Sequence, residues 1–205
     1  MCTNRLLFST ILLRPHKQKV AGQTMYNLQR KIREQNSTEP KPNSGGTGRL
    51  SIRDYLLTQE IAEIREHLPS GCAIDIADPD ILHEIVLRIS PQTGYWKEGT
   101  FVFAISVPSE YNIMPPAVSC RTKLWHPNID MEGNVCLSIL RSRSIDSTGW
   151  APTRTLKDVV WGLNALFGDL LNFEDPLNVE AAEQYTKDKE LFIRKVEHYV
   201  TCYAS

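Results

Sequence analysis

Leu57, Ile61, Ile64 and Leu68 step along the chain by four, three and four residues, the spacing of one face of an α-helix. The helix they predict runs over 50–68 and is stopped by Pro69. The period then changes to two. Cys72 opens a short apolar segment, 72–77, ended by Asp78-Pro79-Asp80. In 83–89, Ile85, Leu87 and Ile89 alternate with Glu84, Val86 and Arg88, and in 100–107, Phe101, Phe103, Ile105 and Val107 share one face. The segment 117–120 is the shortest of the four predicted strands. Ser90-Pro91, Thr93-Gly94 and Pro115-Pro116 supply turns at hairpin distances, so an antiparallel meander is expected. After a long stretch without periodicity, 121–152, Thr155 with Asp158 three residues on reads as a capped helix start. Its stripe of Leu156, Val159, Val160, Leu163, Leu166, Phe167 and Leu170 is broad enough for a central buried helix. Two more helices close the chain, over 179–185 after Asn178, and over 189–203 with Phe192, Val196, Tyr199 and Val200 inward. One helix, four strands, a long loop and three helices make an α+β layout.

Residues 35–48 (QNSTEPKPNSGGTG) carry no large apolar side chain, and read as a flexible linker between a tail, 1–49, and a folded domain, 50–205. Two apolar patterns precede the linker. The run RLLFSTILLR at 5–14 has the basic flank of a targeting segment, but it is short and no small-x-small site follows closely. In the segment 25–34, Met25, Leu28 and Ile32 recur at spacings of three and four, with Arg30, Lys31 and Arg33 largely elsewhere. That is a short amphipathic helix, marginal alone in water and expected to order on a partner.

Charge sharpens this division. The tail holds nine Lys and Arg against two acids, a net +7, so the domain carries −8 of the chain's overall −1. The overall balance gives no reason to expect nucleic-acid binding. No stretch approaches the 18–20 or so apolar residues that cross a bilayer, and at 41% hydrophobic and 23% charged the 205 residues suit one globular domain with an extension. Five cysteines, an odd number thinly spread, argue for a reducing compartment rather than a disulfide framework.

Candidate chemistry concentrates in the long loop. It holds His126-Pro127-Asn128 and then Gly133-Asn134-Val135-Cys136-Leu137. Apart from Cys2 in the tail, Cys136 is the one cysteine outside a predicted regular element; Cys72, Cys120 and Cys202 fall on strands or the last helix, where core filling is the natural role. A zinc site is disfavoured by the absence of a CxxC pair, and no metal is expected. A cysteine hydrolase would use His126 and Asn128, although a ring held in a His-Pro turn more often bonds the backbone. A thiol that carries an acyl group needs an amide donor for the developing oxyanion, and Asn128 fits. The remaining reading is a small buried residue without chemistry.

The ordered set resembles a known family. His126-Pro127-Asn128 with Cys136 eight residues after the asparagine, preceded by Tyr111 and Pro115-Pro116 and followed by Trp150-Ala151-Pro152, is similar to the ubiquitin-conjugating enzymes, over essentially the whole of 50–203. Within the family, HPNIDMEGNVCLSILR, SIDSTGWAPTRTLKDVVWGLNALF and LLNFEDPLNVEAAE look like the neddylation branch. The extra segment 141–149 before Trp150 looks like its F-type enzymes, as does MYNLQRKI in the tail.

The resemblance implies the ubiquitin-conjugating fold, a thioester of a ubiquitin-like modifier on Cys136, an oxyanion role for Asn128 and a loop-holding role for His126 with Pro127. It implies an acidic gate at Asp175 for the incoming lysine, ligase contacts at Ile113 and Pro152, and docking of Met25, Leu28 and Ile32 on the activating enzyme. Met25 would then be a candidate initiator, with 1–24 an extension. The implied partners are the modifier, a heterodimeric activating enzyme that itself uses the ATP, a RING-type ligase and a cullin, the F-type enzymes acting with cullin-five. No cofactor is implied, and a monomeric cytoplasmic and nuclear protein is expected. A conjugating enzyme for ubiquitin itself and a non-catalytic modifier-binding module are the alternatives; the presence of Cys136 argues against the second. One departure stands out. Asn112 follows Tyr111 where many relatives have proline, which excludes a cis-proline there.

Overall fold

The computed structural model describes residues 51–142 and 148–205. The tail, with the expected docking residues Met25, Leu28 and Ile32 and the linker 35–48, and most of the 141–149 segment lie outside the described residues. Helix α1 spans Ile52–Glu66. The Asp54 N–H donates to Ser51 Oγ at 3.1 Å, which caps the first turn, and Leu57, Ile61 and Ile64 are buried as the stripe predicts. Leu68, past the helix end, is half-buried.

Four strands follow, β1 (Cys72–Asp75), β2 (Glu84–Ile89), β3 (Phe101–Ser106) and β4 (Ala117–Cys120). They form one antiparallel sheet in sequence order. The register sets Leu87 opposite Ile74 and Phe103, so the apolar positions of neighbouring strands fall on one face. Alternation along β2 and β3 buries Ile85, Leu87, Ile89, Phe101, Phe103 and Ile105. Each such side chain stabilises the fold by about 1.5–3 kcal/mol relative to exposure.

Helix α2 (Leu156–Ala165) is the buried central helix, with Leu156, Val159, Val160 and Leu163 inward. The Thr155 N–H donates to Asp158 Oδ2 at 2.8 Å, the carboxylate half of the cap. The predicted stripe overran the helix. After Ala165 the chain tightens into turns whose bonds reach back three residues, Phe167 N–H to Asn164 O and Gly168 N–H to Ala165 O. Leu166 and Phe167 stay buried, but Leu170 is half exposed. Phe167 stacks on Phe101 with ring centroids 4.8 Å apart, which fixes this turn against the sheet.

Helix α3 (Val179–Lys187) is two residues longer than its pattern, and Asn178 Oδ1 accepts from the Ala181 N–H at 3.1 Å. Helix α4 (Lys189–Tyr203) has Phe192 and Val196 fully buried, while Tyr199 and Val200 are half-buried. Cys202 is exposed, a correction to its expected core role; it lies on the outer side of α4 next to His198. Among the described residues, no helix is long and apolar enough to cross a membrane.

Candidate active site

The described part of the 121–152 loop is held by backbone pairing. Gly133 sits at φ +86°, where a side chain would run into the Cys120 carbonyl, and its own carbonyl accepts from the Cys120 N–H at 2.8 Å. Asp130 holds the turn from inside, its carboxylate accepting from Glu132 N–H, Asn134 N–H and Asn134 Nδ2. The turn folds the chain back on itself. Ile129 bridges to Val135, and the Cys136 N–H donates to Asn128 O at 2.8 Å. The histidine-proline-asparagine turn and the cysteine, eight residues apart in sequence, are therefore adjacent.

His126 is fully buried and reads the backbone with both nitrogens. Nδ1 accepts from the Asn128 N–H at 2.9 Å, so the proton sits on Nε2, which donates to Leu166 O at 2.9 Å. Trp96 lies over the ring at 4.5 Å. No nitrogen of His126 faces Cys136 as a general base would. Pro127 is buried and its carbonyl accepts from Leu177 N–H and Asn178 N–H, both at 2.9 Å, which ties the turn to the start of α3. The Leu166 carbonyl taken by His126 is the first beyond the regular end of α2. That bond, with the stacked Phe167, accounts for the helix stopping where its stripe continues.

Burial lowers the His126 pKa from its ordinary value to about 4, partly offset by the bond to Leu166. An unfolded histidine titrates near 6.5, so between pH 6.5 and 4 the unfolded chain takes up a proton that the folded chain excludes. Stability therefore falls as the pH drops through that window, by about 3 kcal/mol from this ring alone, and is unaffected above it. Urea unfolding at pH 7.5, 5.5 and 4.5 should show a smaller pH-dependent loss in His126→Gln than in the parent chain. Parallel losses would contradict it.

Asn128 is buried, and its amide clasps one residue of the segment after α2. Nδ2 donates to Asn172 O at 2.8 Å and Oδ1 accepts from Asn172 N–H at 3.0 Å. Asn172 Oδ1 in turn accepts from Glu174 N–H and Asp175 N–H. Asn128 thus anchors the segment that carries Asp175. The Asp175 carboxylate is mostly exposed and lies 3.8 Å from Arg141 Nη2, and the same guanidinium nitrogen is 3.5 Å from Cys136 Sγ.

Cys136 is half-buried. Burial pushes the thiols of Cys72 and Cys120 up to about 11, which keeps both protonated and poorly nucleophilic. Among the described residues, no three His, Cys, Asp or Glu side chains come together as a metal site.

Ile113 and Pro152 are exposed on two loops that Asn112 joins. Asn112 Nδ2 donates to Pro152 O at 2.7 Å, and Asn112 O accepts from Trp150 Nε1 at 2.8 Å. The Tyr111–Asn112 peptide bond is cis although no proline follows Tyr111. Tyr111 Oη donates to Glu60 Oε2 at 2.7 Å, and that oxygen also accepts from the Leu156 N–H, so one half-buried carboxylate ties α1 to this loop and to the start of α2. Arg141, Asn172, Asn112 and Glu60 were missed by sequence reasoning. Asn112 was visible only as a departure from proline, and Arg141 only as the edge of an inserted segment.

The ubiquitin-conjugating enzyme family model matches residues 56–200. The chain is 56% identical over 161 residues to the human NEDD8-conjugating enzyme UBE2F, covering 78% of this chain and 87% of that protein. It is 42% identical over 183 residues to the NEDD8-conjugating enzyme ubc-12 of Caenorhabditis elegans, covering 87% and 99%. Among solved structures, Ubc12 of Saccharomyces cerevisiae is similar at a TM-score of 0.63 and 31% identity, over 84% of this chain and 89% of that one.

Proposed function

The chain belongs to the ubiquitin-conjugating enzyme family, and we propose that it is a NEDD8-conjugating enzyme: Cys136 accepts NEDD8 as a thioester from the activating enzyme and passes it to a lysine of a cullin. The observation that carries the reading is the juxtaposition of a half-buried cysteine with a buried asparagine amide and an exposed carboxylate, in a chain whose relatives are named for NEDD8 conjugation. In the loading step the Cys136 thiolate attacks the modifier's carboxy-terminal thioester and the activating enzyme's sulfur leaves. In the transfer step the lysine nitrogen attacks the new thioester, with Asn128 donating to the oxyanion and Asp175 orienting the amine.

His126, which bonds only backbone partners, holds the turn rather than moving a proton. Ile113 and Pro152 form the exposed pair for a RING-type ligase, and cullin-five is the favoured substrate on the strength of the resemblance in the 141–149 segment and the tail. Incubating the full chain with activating enzyme, ATP and either NEDD8 or ubiquitin, followed by a non-reducing gel, tests the reading. A reductant-sensitive adduct with NEDD8 supports it, and an adduct with ubiquitin alone overturns the choice of modifier.

Met25, Leu28 and Ile32 are proposed to dock on the activating enzyme. A linker of 14 residues has a root-mean-square reach on the order of 20 Å, so this stripe can engage a groove well away from Cys136. Tethering raises the effective concentration of the second contact, so its loss acts on apparent affinity. Truncation before Leu50, or Leu28→Ala with Ile32→Ala, should raise the apparent KM for charging while a preloaded thioester still transfers normally. Equal KM values for truncated and full chains, at low and physiological salt, would remove the docking role.

A further inference from the structure

Arg141 is held where one guanidinium nitrogen reaches two side chains at once. Its N–H donates to Ser138 O at 3.0 Å and its carbonyl accepts from Trp150 N–H at 2.9 Å, so the backbone is fixed on both sides. From there Nη2 lies 3.5 Å from Cys136 Sγ and 3.8 Å from Asp175 Oδ2. Asp175 is fixed as well, by its N–H bond to Asn172 Oδ1 at 3.1 Å. A permanently charged guanidinium thus stands between the sulfur that must leave and the carboxylate that receives the lysine.

We propose that Arg141 is a catalytic residue of the transfer step, supporting the negative charge on the departing Cys136 sulfur, which its Nη2 already reaches, and that it gives up Asp175 when the substrate lysine takes its place there. The proposal rests on the thioester reading above. While Cys136 is acylated its sulfur carries no net charge, and the guanidinium has Asp175 for a partner. The side chains of Arg141 and Asp175 are 52% and 80% exposed. An ion pair so open to water is weak, so an arriving ammonium group can displace the guanidinium at little cost.

The lysine nitrogen, having given its ammonium proton to solvent, then attacks. The C–N bond forms as the carbonyl electron pair moves onto oxygen. The oxyanion collapses, the C–S bond breaks and its electron pair goes to sulfur. The second proton lost by the nitrogen ends on solvent or on the thiolate, leaving an amide and free Cys136. The guanidinium–sulfur contact strengthens only as the sulfur becomes anionic, so it favours the transition state over the ground state and acts on the maximal rate.

The test uses the full chain charged with NEDD8 by the activating enzyme and ATP, then chased with increasing free lysine. Arg141→Gln should charge, and should discharge about tenfold more slowly at saturating lysine, the scale of one charge-assisted hydrogen bond. Its half-saturating lysine concentration should not rise, because no guanidinium competes for Asp175, whereas Asp175→Asn should raise it. Arg141→Lys keeps the charge and should recover most of the maximal rate.

A wild-type maximal rate in Arg141→Gln would overturn the proposal. So would a loss confined to the lysine requirement, no recovery in Arg141→Lys, or an Arg141→Gln chain that melts normally yet cannot be charged. Failure of the parent chain to form a reductant-sensitive Cys136 adduct would instead overturn the functional reading, and this inference with it. A normal adduct with unchanged discharge kinetics in Arg141→Gln would overturn this inference alone.

Discussion

Cys136→Ala should abolish the reductant-sensitive adduct with NEDD8 altogether, the largest effect expected of any single substitution in this chain. On the proposed function this sulfur is the atom that carries the acyl group, so nothing in the site substitutes for it. Three other described cysteines compete for the assignment, and the structure separates them. Cys72 and Cys120 have thiols pushed up to about 11 by burial, and Cys120 Sγ donates to Thr122 O at 3.3 Å. Cys202 is exposed on α4, with His198 as its close side-chain neighbour. Of the four described cysteines, only Cys136 has its backbone bonded to Asn128 and its sulfur within reach of Arg141.

Cys136→Ser should give an adduct that survives reductant, since a hydroxyl still acylates but the oxyester is a poorer donor. A gel of charged Cys72→Ala, Cys120→Ala and Cys202→Ala chains completes the test. Loss of the adduct in one of them, with melting unchanged, would move the chemistry to that thiol.

Asn128→Ala should slow isopeptide formation by about 10²–10³ while leaving charging nearly intact, the usual cost of one oxyanion donor. The amide has two N–H groups, and the bond to Asn172 O leaves one for the oxyanion. The clasp on Asn172 adds a second consequence. Removing the amide strips partners from both the Asn172 N–H and its carbonyl; Asn172 is exposed, so water can replace them and the loss is that of two ordinary hydrogen bonds, about 0.5–1.5 kcal/mol each. It also frees the segment bearing Asp175.

Stability should therefore fall with rate, and the two must be separated. Asn128→Asp keeps the acceptor for Asn172 N–H but has no amide donor. It should lose a comparable part of the transfer rate with a larger drop in melting temperature, because a buried carboxylate oxygen then faces the Asn172 carbonyl, acceptor against acceptor. Discharge to lysine at the parental rate in Asn128→Ala would contradict the oxyanion role, as would a folded variant that cannot be charged. If rate and stability fell in strict proportion across both variants, the asparagine would be only a structural clasp.

Sequence periodicity determined the elements of this protein. The spacing in α1, the alternation in β2 and β3 and the cap at Thr155 are local patterns, and local patterns dictate helix and strand because burial rewards one face at a time. The order of those elements gave the antiparallel sheet, and the spacing of the histidine-proline-asparagine turn to Cys136 pointed to the chemistry. Tertiary structure decided what spacing does not encode, namely which polar atoms meet. The end of α2 depends on a histidine 40 residues earlier taking the Leu166 carbonyl, and on Phe167 stacking on β3. The asparagine's grip on Asn172 spans 44 residues. Asn112, in sequence a missing proline, joins two loops 40 residues apart. Arg141 reaches both Cys136 and Asp175 because two backbone bonds fix where its side chain starts. Apolar burial repeats along a chain and can be read from it, whereas a directional hydrogen bond between distant residues exists only once the fold has brought donor and acceptor within about 3 Å.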